Sequence, residues 1–122
     1  MMQASLSLVV LRTAELERSL GFYRALGLRF AEEQHGNGPV HYSCVLGETV
    51  LELYPATPGS APERSSAGAT LIGFRVESLA ETMRTLAELR VTVVTAPSQS
   101  APSARAVVLD PDGRAIEIRE MT

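Results

Sequence analysis

The chain has 122 residues, 45% of them hydrophobic and 20% charged, with a formal net charge of −3. That is the balance of one ordinary globular domain, long enough to bury its own core. The charge and the lack of any basic cluster argue against a nucleic-acid partner, because phosphate binding needs a basic face.

No apolar run approaches the ~20 residues of a membrane-spanning helix. Met1-Met2-Gln3-Ala4-Ser5 lacks the charged start of a secretory signal. Cys44 is the only cysteine, so no internal disulfide can form. A cytoplasmic location is the expectation.

Residues 6–13 are rich in β-formers and end at Thr13, which reads as a helix N-cap. Leu16, Leu20, Tyr23 and Leu26 then recur at helical spacing, and Gly27 reads as the stop. Strands are expected over 28–34, 40–46 and 49–54, with Gly47-Glu48 turning between the last two. Residues 56–69 carry Pro58, Gly59, Pro62, Ser65, Ser66 and Gly68 and read as a linker, with Arg64 solvated in it. A strand from Leu71 to Val76 follows. Ser78-Leu79-Ala80-Glu81 fits a capping box, with Ser78 capping the helix and Glu81 reaching back. Leu79, Met83, Leu86 and Leu89 form its apolar stripe. Strands over 91–95, 104–109 and 115–120 complete the chain, the last two joined by Asp110-Pro111-Asp112-Gly113.

The two halves repeat. Setting Leu8 on Leu71 puts Val9-Val10-Leu11-Arg12 on Ile72-Gly73-Phe74-Arg75 and Leu20 on Met83. Setting Val50-Leu51-Glu52-Leu53 on Ala115-Ile116-Glu117-Ile118 needs only two more residues in a loop. Each half therefore reads as one βαβββ module within a single domain of 1–122: module one 1–55, linker 56–69, module two 70–122.

Phe22-Tyr23 followed by Leu26-Gly27-Leu28, and the closing Asp110-Pro111-Asp112-Gly113 before Ile116-Glu117-Ile118, resemble signatures of the vicinal oxygen chelate superfamily, the glyoxalase, bleomycin-resistance and dioxygenase group. The resemblance covers nearly the whole chain. It implies an α+β fold in which two tandem βαβββ modules form a paired, half-open mixed β-sheet cavity, and it implies a homodimer. In metal-dependent members the ligands come from the first and last strand of each module. Carried over, the last-strand ligands fall on Glu52 and Glu117, and the first-strand ligands fall on Leu8 and Leu71, which have no donor atom. Zinc sites usually want three or four protein ligands with nitrogen or sulfur among them. The remaining carboxylates offer at most a weak Mg²⁺ or Mn²⁺ site, so no metal cofactor is expected.

Strand alternation sorts the side chains. Val9, Leu11, Leu51, Leu53, Ile72, Phe74, Ile116 and Ile118 form a uniformly apolar, core-facing set. The opposite, ligand-facing set is Leu8, Val10, Arg12, Glu52, Tyr54, Leu71, Gly73, Arg75, Glu117 and Arg119. Placing Val40, Tyr42, Cys44 and Leu46 in the core adds His41 and Ser43 to it. Cys44 reads as a small buried hydrophobe, and His35 as loop surface. Glu52 and Glu117 either pair with Arg12 and Arg75 or wait for a ligand.

Three functions compete. A metal-free protein can bind or sequester a hydrophobic or cationic small molecule, as antibiotic-resistance members of the family do. A lyase, isomerase or dioxygenase of the glyoxalase type can use a metal, or Glu52 or Glu117 as acid–base groups. A partner domain can have its cavity collapsed around Leu8 and Leu71.

Overall fold

The computed structural model describes residues 5–56, 71–98 and 104–121. The expected linker and Arg64 lie almost wholly outside them. The first half runs β1 (Leu8–Thr13), α1 (Leu16–Ala25), β2 (Ala31–Glu33), β3 (His41–Leu46) and β4 (Thr49–Pro55). The second half repeats the order as β5 (Leu71–Val76), α2 (Leu79–Glu88), β6 (Val93–Thr95), β7 (Arg105–Leu109) and β8 (Ala115–Glu120). Each half makes its own four-stranded mixed sheet, ordered β1-β4-β3-β2 and β5-β8-β7-β6. The first strand of each module pairs parallel to the last, and the remaining pairings are antiparallel.

The repeat is exact in register where it matters for the site. Val10 pairs with Glu52 and Arg12 with Tyr54, as Gly73 pairs with Glu117 and Arg75 with Arg119. With a side-chain period of two, this fixes which residues share a face. Leu11, Leu51, Leu53, Ile116 and Ile118 are buried, and Val9, Ile72 and Phe74 pack against them. Fully burying one such side chain contributes roughly 1.5–3 kcal/mol. Both helices share that core: α1 packs on β4 and on α2, and the Tyr23 ring of α1 meets Phe74 of β5 edge-on. The helix-covered faces of the two sheets thus belong to one interior, and the other face of each sheet stays open.

The modules are also joined by a polar contact. The Tyr23 hydroxyl donates to Asp110 Oδ2 at 2.6 Å, and both residues are buried. Burial first, and then the neighbouring carboxylate, push this phenol far above its ordinary range, so it remains a donor. Asp110 also accepts from the backbone amides of Asp112 and Arg114 and from the Arg114 guanidinium. Burial works against the Arg114 charge, but its contacts with Asp110 outweigh that and raise its pKa. Arg114 in turn donates to the Arg12 carbonyl of the other module.

Several expectations need correction. Thr13 does not cap α1, whose N-cap is Glu15. Its hydroxyl is buried instead, bonded to Ser19 at 2.6 Å and accepting from Glu15 N. The chain just ahead of α1 is held from the second module, where Asp112 accepts from Ala14 N at 2.9 Å, while the helix has no side-chain cap of its own. Such an anchor is non-local and leaves no trace in neighbouring residues. Ser78 does cap α2, accepting from Glu81 N, but Glu81 pairs with Arg84 while Glu120 takes the Leu79 amide. Leu89 is the C-cap of α2 and is exposed. Val40, just ahead of β3, and Leu46, its last residue, are exposed as well, so the strand's core-facing side is buried only in its middle, at Cys44. Cys44 is buried as expected, and burial pushes its thiol up.

Candidate functional site

The open face of the first sheet is built in rows across its strands. Glu33 of β2 lies opposite His41 of β3, and Arg12 of β1 lies opposite Tyr54 of β4. Side-chain contacts join the two pairs. The His41 and Tyr54 rings stack at 4.1 Å and 9°, and the Arg12 guanidinium lies 5.5 Å from the Tyr54 ring centre. An aromatic ring between an imidazole and a guanidinium is a rigid platform with a cation–π contact on it.

The next row is Ala31, Ser43, Glu52 and Val10. Glu52 is half-buried, and its Oε2 is 3.8 Å from His41 Nε2. Leu8, one row further, is 51% exposed.

His41 is the most enclosed group on this face, only 1% exposed. Its Nε2 is 3.3 Å from Glu33 Oε1 and 3.3 Å from the Tyr54 hydroxyl, and its Nδ1 is 3.3 Å from the Pro39 carbonyl. His35 brings its ring to 5.1 Å. Strand alternation puts His41 on this face, whereas His35 reads as plain loop and Glu33 carries no signal of its own. The missed signal was pairing across the β2–β3 hairpin, which sets residue 33 against residue 41.

The second sheet's open face is different. Glu117 of β8 takes a bond from Arg105 at 2.8 Å and a longer one from Arg119 at 3.3 Å. The Arg105 bond, followed by the Arg119 contacts, holds its carboxyl below the usual range despite some burial. Gly73 lies directly beside it, and a Cβ there would stand 3.3 Å from Glu117 Oε2. With Phe74, Arg75 and Arg119 these residues line an open cavity of about 400 Å³. Arg75, Arg119 and Arg105 share one register row, so this face carries a positive excess. Leu71 is 57% exposed on the same strand as Gly73 and Arg75.

The expected pairs of Glu52 with Arg12 and Glu117 with Arg75 do not form among the described residues. Arg12 turns to the Tyr54 ring, and Arg105 reaches Glu117 from the neighbouring strand.

A model of the Glyoxalase/Bleomycin resistance protein/Dioxygenase superfamily matches residues 5–118, and the chain belongs to that family. A comparison with curated proteins gives no match. Among solved structures, a putative glyoxalase from Bacillus halodurans superposes with a TM-score of 0.73 at 21% identity, covering 98% of this chain and 97% of that one. The fosfomycin resistance protein FosX from Mesorhizobium loti gives 0.68 at 12% identity, covering 100% and 95%. TioX from Micromonospora sp. ML1 gives 0.68 at 15% identity, covering 98% and 100%. At these identities the likeness shows the fold.

The metal of the family's metal-dependent members can be tested against the donors present. Leu8 and Leu71 supply none, and the Glu117 carboxylate is already engaged by two arginines. Glu52 is left as the one carboxylate of that set without an arginine partner among the described residues. This donor set does not fit such a metal.

Proposed function

We propose that the protein binds a small hydrophobic or cationic molecule on these open faces, without a metal at the position where metal-dependent members of the family hold theirs. The observation that carries the reading is the surface formed by Leu8, Val10, Glu52 and Tyr54. The carboxylate lies between the apolar Val10 on one side and Ser43 and His41 on the other, and a fixed aromatic ring stands in the next row. Pockets for small molecules are built this way, with apolar walls and a few placed polar groups. A cationic group on the ligand would lie against Glu52 and the Tyr54 ring edge, and its apolar body against Leu8 and Val10. Sequestration of a toxic compound in the cytoplasm is a role that suits such a site.

We further propose that a homodimer completes the site. β1 and β5 are edge strands, and their outward residues Leu8, Val10 and Leu71 are exposed in the single chain. Edges of this kind invite pairing. The two open faces also complement one another in charge: Glu33 and Glu52 outweigh Arg12 on the first, and Arg75, Arg105 and Arg119 outweigh Glu117 on the second. Setting the first face of one chain against the second face of its partner would match them and cover the leucines.

A thermal-shift screen tests the reading. Hydrophobic amines, with neutral and acidic compounds of matched size, are added to the wild-type protein and to Glu52→Gln. Amines at saturating concentration should raise Tm by several degrees, since a ligand at 100 times its Kd adds roughly 2.7 kcal/mol. Glu52→Gln should abolish most of that rise. Acids outperforming amines would overturn the ligand class, and no response to any compound would favour a collapsed cavity.

A further inference from the structure

We propose that Glu33, His35 and His41 form a binding site for a zinc-type divalent cation at the β2–β3 end of the first sheet's open face. The site is separate from the position discussed above, and neither β1 nor β5 contributes to it. Each of the three residues offers one ligand atom, and these atoms all lie within 4.8 Å of one another. Bonds to zinc of about 2.0–2.1 Å in a tetrahedron put neighbouring donors roughly 3.3–3.4 Å apart. His41 Nε2 and Glu33 Oε1 already stand 3.3 Å apart.

The tautomer of His41 argues for a cation. Nδ1 faces the Pro39 carbonyl, a partner that can only accept, so Nδ1 carries a proton. In the neutral ring Nε2 then presents a lone pair toward two carboxylates, Glu33 at 3.3 Å and Glu52 at 3.8 Å. The Tyr54 hydroxyl also stands 3.3 Å from Nε2, but it can serve only one of these acceptors, and a cation between His41 and Glu33 would draw them all together beside a ring that is 1% exposed. A histidine that donates one ring N–H to a backbone carbonyl and aims the other nitrogen at a carboxylate has the outer-shell arrangement of a metal ligand. Glu52 would then supply negative charge from outside the coordination shell. Imidazole with carboxylate suits zinc better than it suits magnesium or calcium.

The loop that delivers His35 is closed by two hydrogen bonds, from Gly38 N to the His35 carbonyl and from Gln34 Nε2 to the Gly38 carbonyl, both 2.9 Å. A Cβ on residue 38 would stand 3.0 Å from the His35 carbonyl oxygen, tighter than an ordinary contact, so the turn favours glycine there. The backbone is thus fixed where His35 must reach the ion, and the exposed His35 and half-exposed Glu33 side chains can close on it by rotation.

The test uses the full chain, freed of metal with a chelator and titrated with zinc against a chromophoric competitor. Cobalt(II) absorption on the same samples reports the coordination. The wild type should take up one zinc per chain and give the visible bands of tetrahedral nitrogen–oxygen cobalt. His35→Ala, an exposed loop change that should leave the fold intact, and His41→Ala should each weaken binding at least tenfold. Glu117→Gln should leave it unchanged. No uptake by folded wild type at micromolar concentrations would overturn the proposal. Zinc binding unaltered by both histidine changes would overturn it equally.

Discussion

Asp110→Ala should lower the unfolding free energy by about 3–5 kcal/mol, the usual cost of removing one partner from a buried charge pair. The change strips Arg114, whose side chain is 12% exposed, of its main counter-charge. It leaves the buried Tyr23 hydroxyl without its acceptor and frees the amides of Asp112 and Arg114. Asp110→Asn should cost less, since an amide oxygen can still accept from one donor. Tyr23→Phe should cost only about 1 kcal/mol or slightly more, because the Asp110–Arg114 pair survives it. Urea unfolding at neutral pH measures all three. Equal, sub-kilocalorie losses would mean that the contact between modules is not structural. Because this aspartate belongs to the signature from which the family resemblance was read, the result also explains the motif: its first residue ties the closing hairpin of one module to the helix of the other.

Leu8→Glu combined with Leu71→Glu should dissociate the proposed dimer. Each chain would bring one carboxylate to each of its two open faces, where the dimer otherwise buries leucine, and desolvating such a charge without a partner costs several kcal/mol. A total near 4 kcal/mol corresponds to about a thousandfold in the dissociation constant. Light scattering should find wild-type dimer and mutant monomer at the same micromolar concentration. Circular dichroism should change little, because both leucines are more than half exposed in the single chain, while Tm should fall by the share of stability the dimer contributes. Ligand binding by the double variant should fall with the dimer. A wild-type monomer, or a double variant that remains dimeric, would refute the proposed pairing of open faces.

Local signals in the sequence were sufficient for the fold. The turn at Gly47, the stop at Gly27, the serine cap of α2 and the alternation through β4 and β8 depend on neighbours a few residues apart. The repeat then supplied the architecture, since Leu8 and Leu71 had to occupy equivalent strands once the halves were aligned.

What escaped was long-range. The anchor just ahead of α1 comes from Asp112, and the partner of Glu117 is Arg105 on the adjacent strand, not Arg75. Both depend on how elements meet, and no local pattern records that. His41 shows the same division. Its face followed from alternation. Its burial did not, because that required Tyr54 to stack on it and the loop carrying His35 to fold over it. The first strands were informative by what they lacked. A leucine at each equivalent position is visible without a structure, and the structure adds that Glu117 already has arginine partners.

The central claim is ligand binding without a metal at the position defined by Leu8, Leu71, Glu52 and Glu117. Calorimetric titration tests it most directly, using the best hydrophobic amine from the thermal screen and protein dialysed exhaustively against a chelator. Metal-stripped wild type should bind with undiminished affinity, and Glu52→Gln should bind at least tenfold more weakly. Adding zinc or nickel should not strengthen binding. Affinity that vanishes on chelation and returns with the metal, or affinity indifferent to Glu52, would contradict it.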